Sequence, residues 1–92
     1  MDEEERALTV RITGRVQGVG FRAWTLIEAG KLDIRGWVRN EQDGSVTALI
    51  AGSGPAVAAM LEQLRQGPAG AVVADIATEP ADEAPRGFRI TS

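Results

Sequence analysis

At 92 residues, with 43% hydrophobic and 25% charged residues, the chain has the length and composition of one small soluble domain with a single core. It contains no cysteine and no histidine, which excludes disulfides, thiolate nucleophiles, cysteine metal sites, and the commonest general base and zinc ligand. A net charge of −3 argues against nucleic acid as the main partner, yet residues 6–40 carry seven cations against two anions, and residues 41–92 three against seven.

The opening MDEEER is acidic, the reverse of a signal peptide's basic start. Its apolar runs are too short to cross a bilayer. A cytoplasmic protein with no membrane partner is expected. Residues 1–5 read as a mobile acidic tail and residues 6–92 as one domain. ALTVRIT then alternates, with Leu8, Val10 and Ile12 on one side and Thr9, Arg11 and Thr13 on the other, the pattern of a half-buried strand.

GRVQGVGFR follows, with Gly14, Gly18 and Gly20 close together and Arg22 directly after them. FRAWTLIEAGKL reads as a helix whose inner face is Phe21, Thr25, Ala29 and Leu32. Leu26 and Ile27 fall off that face, and Trp24 and Trp37 suit core or rim packing. IRGWVRN and SVTALIA are strands, joined by EQDG, whose Asp-Gly pair signals a hairpin. In PAVAAMLEQLRQG, Pro55 suits a first turn, Val57, Met60, Leu61 and Leu64 recur at helical spacing, and Gly67 with Pro68 ends the helix. AVVADIAT is a fourth strand, EPADEAPR a polar loop, and GFRITS a short closing strand with Phe88 and Ile90 directed inward. The order is βαββαβ with a short extra C-terminal strand. An α+β ferredoxin-like sandwich is expected, an antiparallel sheet with two helices on one face.

The glycine loop runs from a strand into a helix N-terminus, where unpaired N–H groups and a partial positive charge gather. Glycines let backbone N–H groups close around a ligand. Arg22 adds a planar fork suited to phosphate oxygens. The arrangement is an anion cradle, although a glycine-rich turn beside a solvated arginine is also an ordinary structural feature. It is neither a Walker loop, lacking a closing GK[ST], nor a dinucleotide fingerprint, since GVGFRA lacks the third glycine. Asn40 stands just before the hairpin turn, a place where asparagine most often serves the turn itself.

GRVQGVGFR together with GWVRNEQDGSV resembles the acylphosphatases, and the spacing between the blocks and the final GFRI are similar to theirs. The resemblance covers nearly the whole chain and implies the same βαββαβ fold. It implies that loop 15–20 (Arg15, Val16, Gln17, Gly18, Val19 and Gly20) binds phosphate, mainly through backbone N–H groups. It further implies that Arg22 is catalytic and clamps that phosphate, that Asn40 is catalytic and orients the attacking water, and that Thr25 has a supporting role. The implied partner is a small-molecule acyl phosphate, hydrolysed to carboxylate and inorganic phosphate by a monomer with no metal and no cofactor. Asp33 departs from the family pattern, standing where glycine is frequent.

The residue types suit this chemistry. Phosphoryl transfer rests mostly on positioning and charge stabilisation. A carboxylate leaving group has a conjugate-acid pKa of about 4 and needs no general acid. The proton from water can pass to the substrate's own phosphate. Two other readings stand beside this one. One is a non-catalytic binding module, since fold alone does not give function; an RNA-binding version would want more aromatic residues on the open sheet face. The other is a carbamoyl-phosphate-handling accessory domain of the kind found inside larger maturation proteins. A free-standing chain of 92 residues weighs against it.

Overall fold

The computed structural model describes residues 5–92. The elements are β1 (Glu5–Arg15), α1 (Phe21–Lys31), β2 (Arg35–Asn40), β3 (Val46–Ser53), α2 (Gly54–Gln66), β4 (Val72–Pro80) and β5 (Phe88–Ile90). The expected acidic tail lies outside the described residues except at Glu5, which opens β1, sits opposite Ser53 and pairs with Arg35.

One five-stranded sheet has the order β4-β1-β3-β2-β5. The pairs β1–β3, β1–β4 and β2–β3 are antiparallel, with Val10 opposite Ala48 and Val38 opposite the same Ala48 from the other side. The short extra C-terminal strand makes the sheet mixed: β5 runs parallel to β2, Phe88 opposite Gly36 and Ile90 opposite Val38. The polar segment 81–87 between β4 and β5 carries the chain from one edge of the sheet to the other. A crossing of that kind, unlike a hairpin, permits a parallel neighbour.

Both helices cover one sheet face, α1 over β2 and β5, α2 over β1, β3 and β4. Between them lies a core of Val10, Ile12, Phe21, Ala29, Val38, Ala48, Ile50, Val57, Met60 and Leu64, all buried. Phe21, Thr25 and Ala29 form the buried stripe of α1 as their spacing predicts, with Leu32 partly buried against the core. Leu61 of α2 is likewise partly buried, while Leu26 and Ile27 are 37% and 59% exposed. Phe88 packs on the core, but Ile90 is 40% exposed. Alternation puts both on the helix-covered side; Ile90 stands at the strand end, where the cover stops.

The two helices begin differently. Ser53 caps α2, its hydroxyl accepting from the Ala56 N–H at 3.2 Å, and Pro55 fills a position where a missing N–H costs nothing. By contrast, α1 starts at Gly20, which holds a left-handed φ of 77°, with no side-chain cap and no acidic residue in its first turn. A residue with a β-carbon adopts that conformation only at a cost, so glycine permits the sharp entry.

Candidate active site

Topology brings the site together. β1 and β2 are both antiparallel to β3 and therefore run the same way, and β5 runs with β2. The C-terminal ends of all three meet at one end of the sheet. The loop after β1, Asn40 at the end of β2 and Ile90 at the end of β5 are therefore neighbours. The start of α1 joins them directly through the loop.

The turn out of β1 is forced. The register of β1 on β4 shifts between Thr13 and Gly14. A β-carbon on Gly14 would lie 2.2 Å from the Val72 carbonyl oxygen, a contact that only glycine avoids. The chain then dips so that Val16 is 1% exposed, and rises into α1 at Phe21, 2% exposed and set edge-on to Trp24 with ring centroids 5.4 Å apart. Burying Phe21 contributes about 2 kcal/mol. It also anchors the first helical residue, so that Arg22, about 100° further round the helix, faces the cleft.

That cleft has a volume of about 250 Å³. Arg22 and Asn40 both line it, as do Val16, Gln17, Gly18 and Gly20 of the loop. Phe21, Ala23 and Ile90 complete the wall. Arg15, Val19 and Thr25 do not line it. Arg15 is exposed at the end of β1, and Val19 packs partly against the core. Thr25 is fully buried, and its hydroxyl donates to the Phe21 carbonyl at 2.8 Å. That bond lies within the first turn of α1.

The charges are arranged so that the cleft keeps its cation. The ion pairs among the described residues join Arg11 to Asp43, Lys31 to Glu28, Arg35 to Glu5 and Arg39 to Glu41. Arg22 takes part in none of them. No side chain caps α1, and its first residues, Phe21, Arg22 and Ala23, line the same space. Backbone N–H groups and one guanidinium with no internal carboxylate are donors of the kind that suit an anion.

Asn40 is held by its backbone, whose N–H donates to the Ser92 carbonyl at 3.0 Å, while the Thr91 N–H donates to Val38 at 2.9 Å. The turn that follows spans residues 41–44, closed by the Gly44 N–H on the Glu41 carbonyl at 3.2 Å and by the Glu41 N–H on Ser45 at 2.9 Å. Asp43 braces it, accepting from the Ser45 hydroxyl at 2.6 Å and the Ser45 N–H at 3.0 Å, beside the Arg11 guanidinium. These donors hold the Asp43 carboxyl down at about 2, the Ser45 hydroxyl first among them. The Glu41 carboxyl is also lowered, chiefly by the hydrogen bond from Arg39 at 2.8 Å. Arg39 in turn lies over the Trp37 ring, 4.7 Å from its centroid.

Residues 8–90 match the family model described as acylphosphatase. The chain belongs to the acylphosphatase family. It is 63% identical to an acylphosphatase of Sinorhizobium medicae, covering 99% of each chain. An acylphosphatase structure from Coxiella burnetii superposes with a TM-score of 0.90 at 32% identity, covering 95% of this chain and 93% of that one. HypF of T. kodakarensis superposes with a TM-score of 0.84 at 27% identity, with 95% of this chain lying on 12% of that much longer one. The fold therefore also occurs as a small part of a larger protein. The full-length correspondence with the Sinorhizobium relative sets this chain beside the small acylphosphatases.

Three wall residues escape sequence reasoning. Ala23 carries a weak signal, being next to Arg22 in the first helical turn. Phe21 reads as core, which it also is. Ile90 carries no local signal, since its place depends on β5 lying parallel to β2. Among the described residues, no helix is long and apolar enough to cross a membrane.

Proposed function

We propose that the chain hydrolyses the carboxyl–phosphate bond of acyl phosphates, with the phosphate held by backbone N–H groups of loop 15–20 and the Arg22 guanidinium, and with the attacking water held by the Asn40 side chain. The observation that carries this reading is that Arg22 and Asn40, from different elements, line the same cleft as the glycine loop. On this reading the loop and helix start hold the phosphate from one side, and Asn40, at the end of β2, approaches it from the other. An amide offers both a donor and an acceptor to a water molecule. Water attacks phosphorus, the bond from phosphorus to the carboxyl oxygen breaks, and the electron pair leaves with the carboxylate. The proton lost by water goes to the phosphate. Charge on the equatorial oxygens is met by donors already in place.

A carboxylate leaves without protonation, which a cleft lined by no acid requires. An alkoxide would not leave so readily, so phosphomonoesters are poor substrates. The reading takes the chain to act as a monomer and asks for no residue of a second copy.

The test is hydrolysis of benzoyl phosphate by the purified protein beside Arg22→Ala, with and without a metal chelator. The expected result is turnover unaffected by chelator and at least ~10²-fold lower in the variant, the scale of losing one principal charge-stabilising donor. A folded wild-type protein that binds phosphate without hydrolysing benzoyl phosphate would leave a binding module in place of the enzyme.

A further inference from the structure

Building on the proposed hydrolysis, we infer that Gln17 is a positioning residue: its side chain ties the phosphate loop to the hairpin that carries Asn40, and so sets where the attacking water stands relative to the held phosphate. The Gln17 Nε2 donates to the Glu41 carbonyl at 2.8 Å and to the Ser45 carbonyl at 2.8 Å. An amide nitrogen has two hydrogens, and both are used here. Both partners are carbonyl oxygens, which only accept, so the nitrogen and not the oxygen of the amide must face them. The same two carbonyls already close the hairpin turn, accepting from the Gly44 and Glu41 N–H groups. Gln17 takes the second lone pair of each.

The tie spans a gap that the sheet leaves open. β1 and β2 are separated by β3, so their ends stand roughly 10 Å apart, two strand spacings. Among the described residues, the hydrogen bonds between loop 16–20 and hairpin residues 41–45 are the two made by Gln17. One end of the tie adjoins Gly18 of the cradle. The other holds Glu41, whose α-carbon is ~3.8 Å from that of Asn40 across one peptide bond. The phosphate donors all lie on the loop side of this link, and the water holder lies on the hairpin side. Loosening the link leaves each part intact and changes their separation. A misplacement of about 1 Å costs up to ~10²-fold in rate.

Gln17→Met keeps the length of the side chain and removes both donors. Benzoyl phosphate kinetics and inhibition by inorganic phosphate are measured for wild type, Gln17→Met, Asn40→Ala and the double variant. In Gln17→Met, kcat is expected to fall ~10- to 100-fold while the phosphate inhibition constant stays within about twofold. In the Asn40→Ala background, the same substitution is expected to cost less than about threefold more, because the group it positions is gone. An unchanged kcat, a phosphate constant that rises with the loss of rate, or full multiplication of the two losses would each overturn the inference.

A second variant guards against a fold defect. In Gln17→Glu the carboxylate faces two carbonyl oxygens, which raises its pKa, and only the protonated acid donates. Its rate relative to wild type is expected to climb as pH falls from ~7 to ~5; a flat ratio counts against the tie. Failure of wild type itself to turn over benzoyl phosphate sinks the hydrolysis reading, whereas wild-type turnover with an unimpaired Gln17→Met sinks the tie alone.

Discussion

Arg22 illustrates how a neighbour decides a residue's work. Phe21 is driven inward and closes over the core at 2% exposure, and the helical turn then gives Arg22 no choice of direction. Thr25, one turn on, bonds back to the Phe21 carbonyl at 2.8 Å and keeps that first turn in place. Because Arg22 is unpaired among the described residues, its fork is available to two phosphate oxygens at once. Arg22→Lys is therefore expected to lose most of the activity lost by Arg22→Ala, since a point charge does not reproduce two parallel N–H bonds. Steady-state rates on benzoyl phosphate for the pair check this, and a lysine variant near wild type would show that charge alone suffices. The motif GRVQGVGFR makes Arg22 legible in the sequence. The use of the Gln17 side chain is not legible there, because its partners belong to a hairpin more than twenty residues away.

At the scale of elements, two ends differ in how well their residues suit them. The chain leaves α1 through Asp33, whose φ of 60° is the only positive value outside glycine among the described residues. Relief of ~1 kcal/mol of left-handed strain, less the extra freedom glycine gives the unfolded chain, makes Asp33→Gly stabilising by about 0.5 kcal/mol. Chemical denaturation reads this, with turnover unchanged because the residue lies far from the cleft; a lowered midpoint would mean that the Asp33 side chain offsets its strain. The β2–β3 turn is better matched. Asp43 has its carboxyl lowered from 3.8 to about 2 in the folded chain by the Ser45 donors and Arg11. A folded pKa below the unfolded one contributes stability that is whole above 3.8 and drains away as pH falls toward about 2. Denaturation midpoints for wild type and Asp43→Asn should accordingly converge across that interval. Parallel curves would place the acid sensitivity elsewhere. The Asp-Gly pair announces this turn in the sequence, but the bracing of Asp43 by Arg11 depends on β1 lying beside β3.

Across the whole molecule, the net charge and the local field have opposite signs. The chain carries −3, yet the end of the sheet where three strands finish presents Arg22 and the uncapped start of α1. On the proposed reading, an anion would be drawn there over a distance comparable to the screening length of ~10 Å at 0.1 M salt. Raising ionic strength from ~0.02 to ~0.5 M is expected to weaken inhibition by phosphate several-fold while kcat changes little. Inhibition constants across a salt series check it, and salt-independence would mean that backbone N–H groups carry the binding without help from the wider field.

Local order, then, was written in the sequence by itself. Alternation of Leu8, Val10 and Ile12, the stripe Phe21, Thr25, Ala29 and the breaks at glycine and proline mark all seven elements, because a strand or helix face is set by residues a few positions apart. Two short blocks mark the family and the candidate residues. Only the tertiary structure decided how those pieces meet. It laid β5 parallel to β2, set Ile90 in the cleft wall, and brought Gln17 to the carbonyls of a distant turn. Such pairings rest on the packing of the whole sheet, and no periodicity within a single segment encodes them.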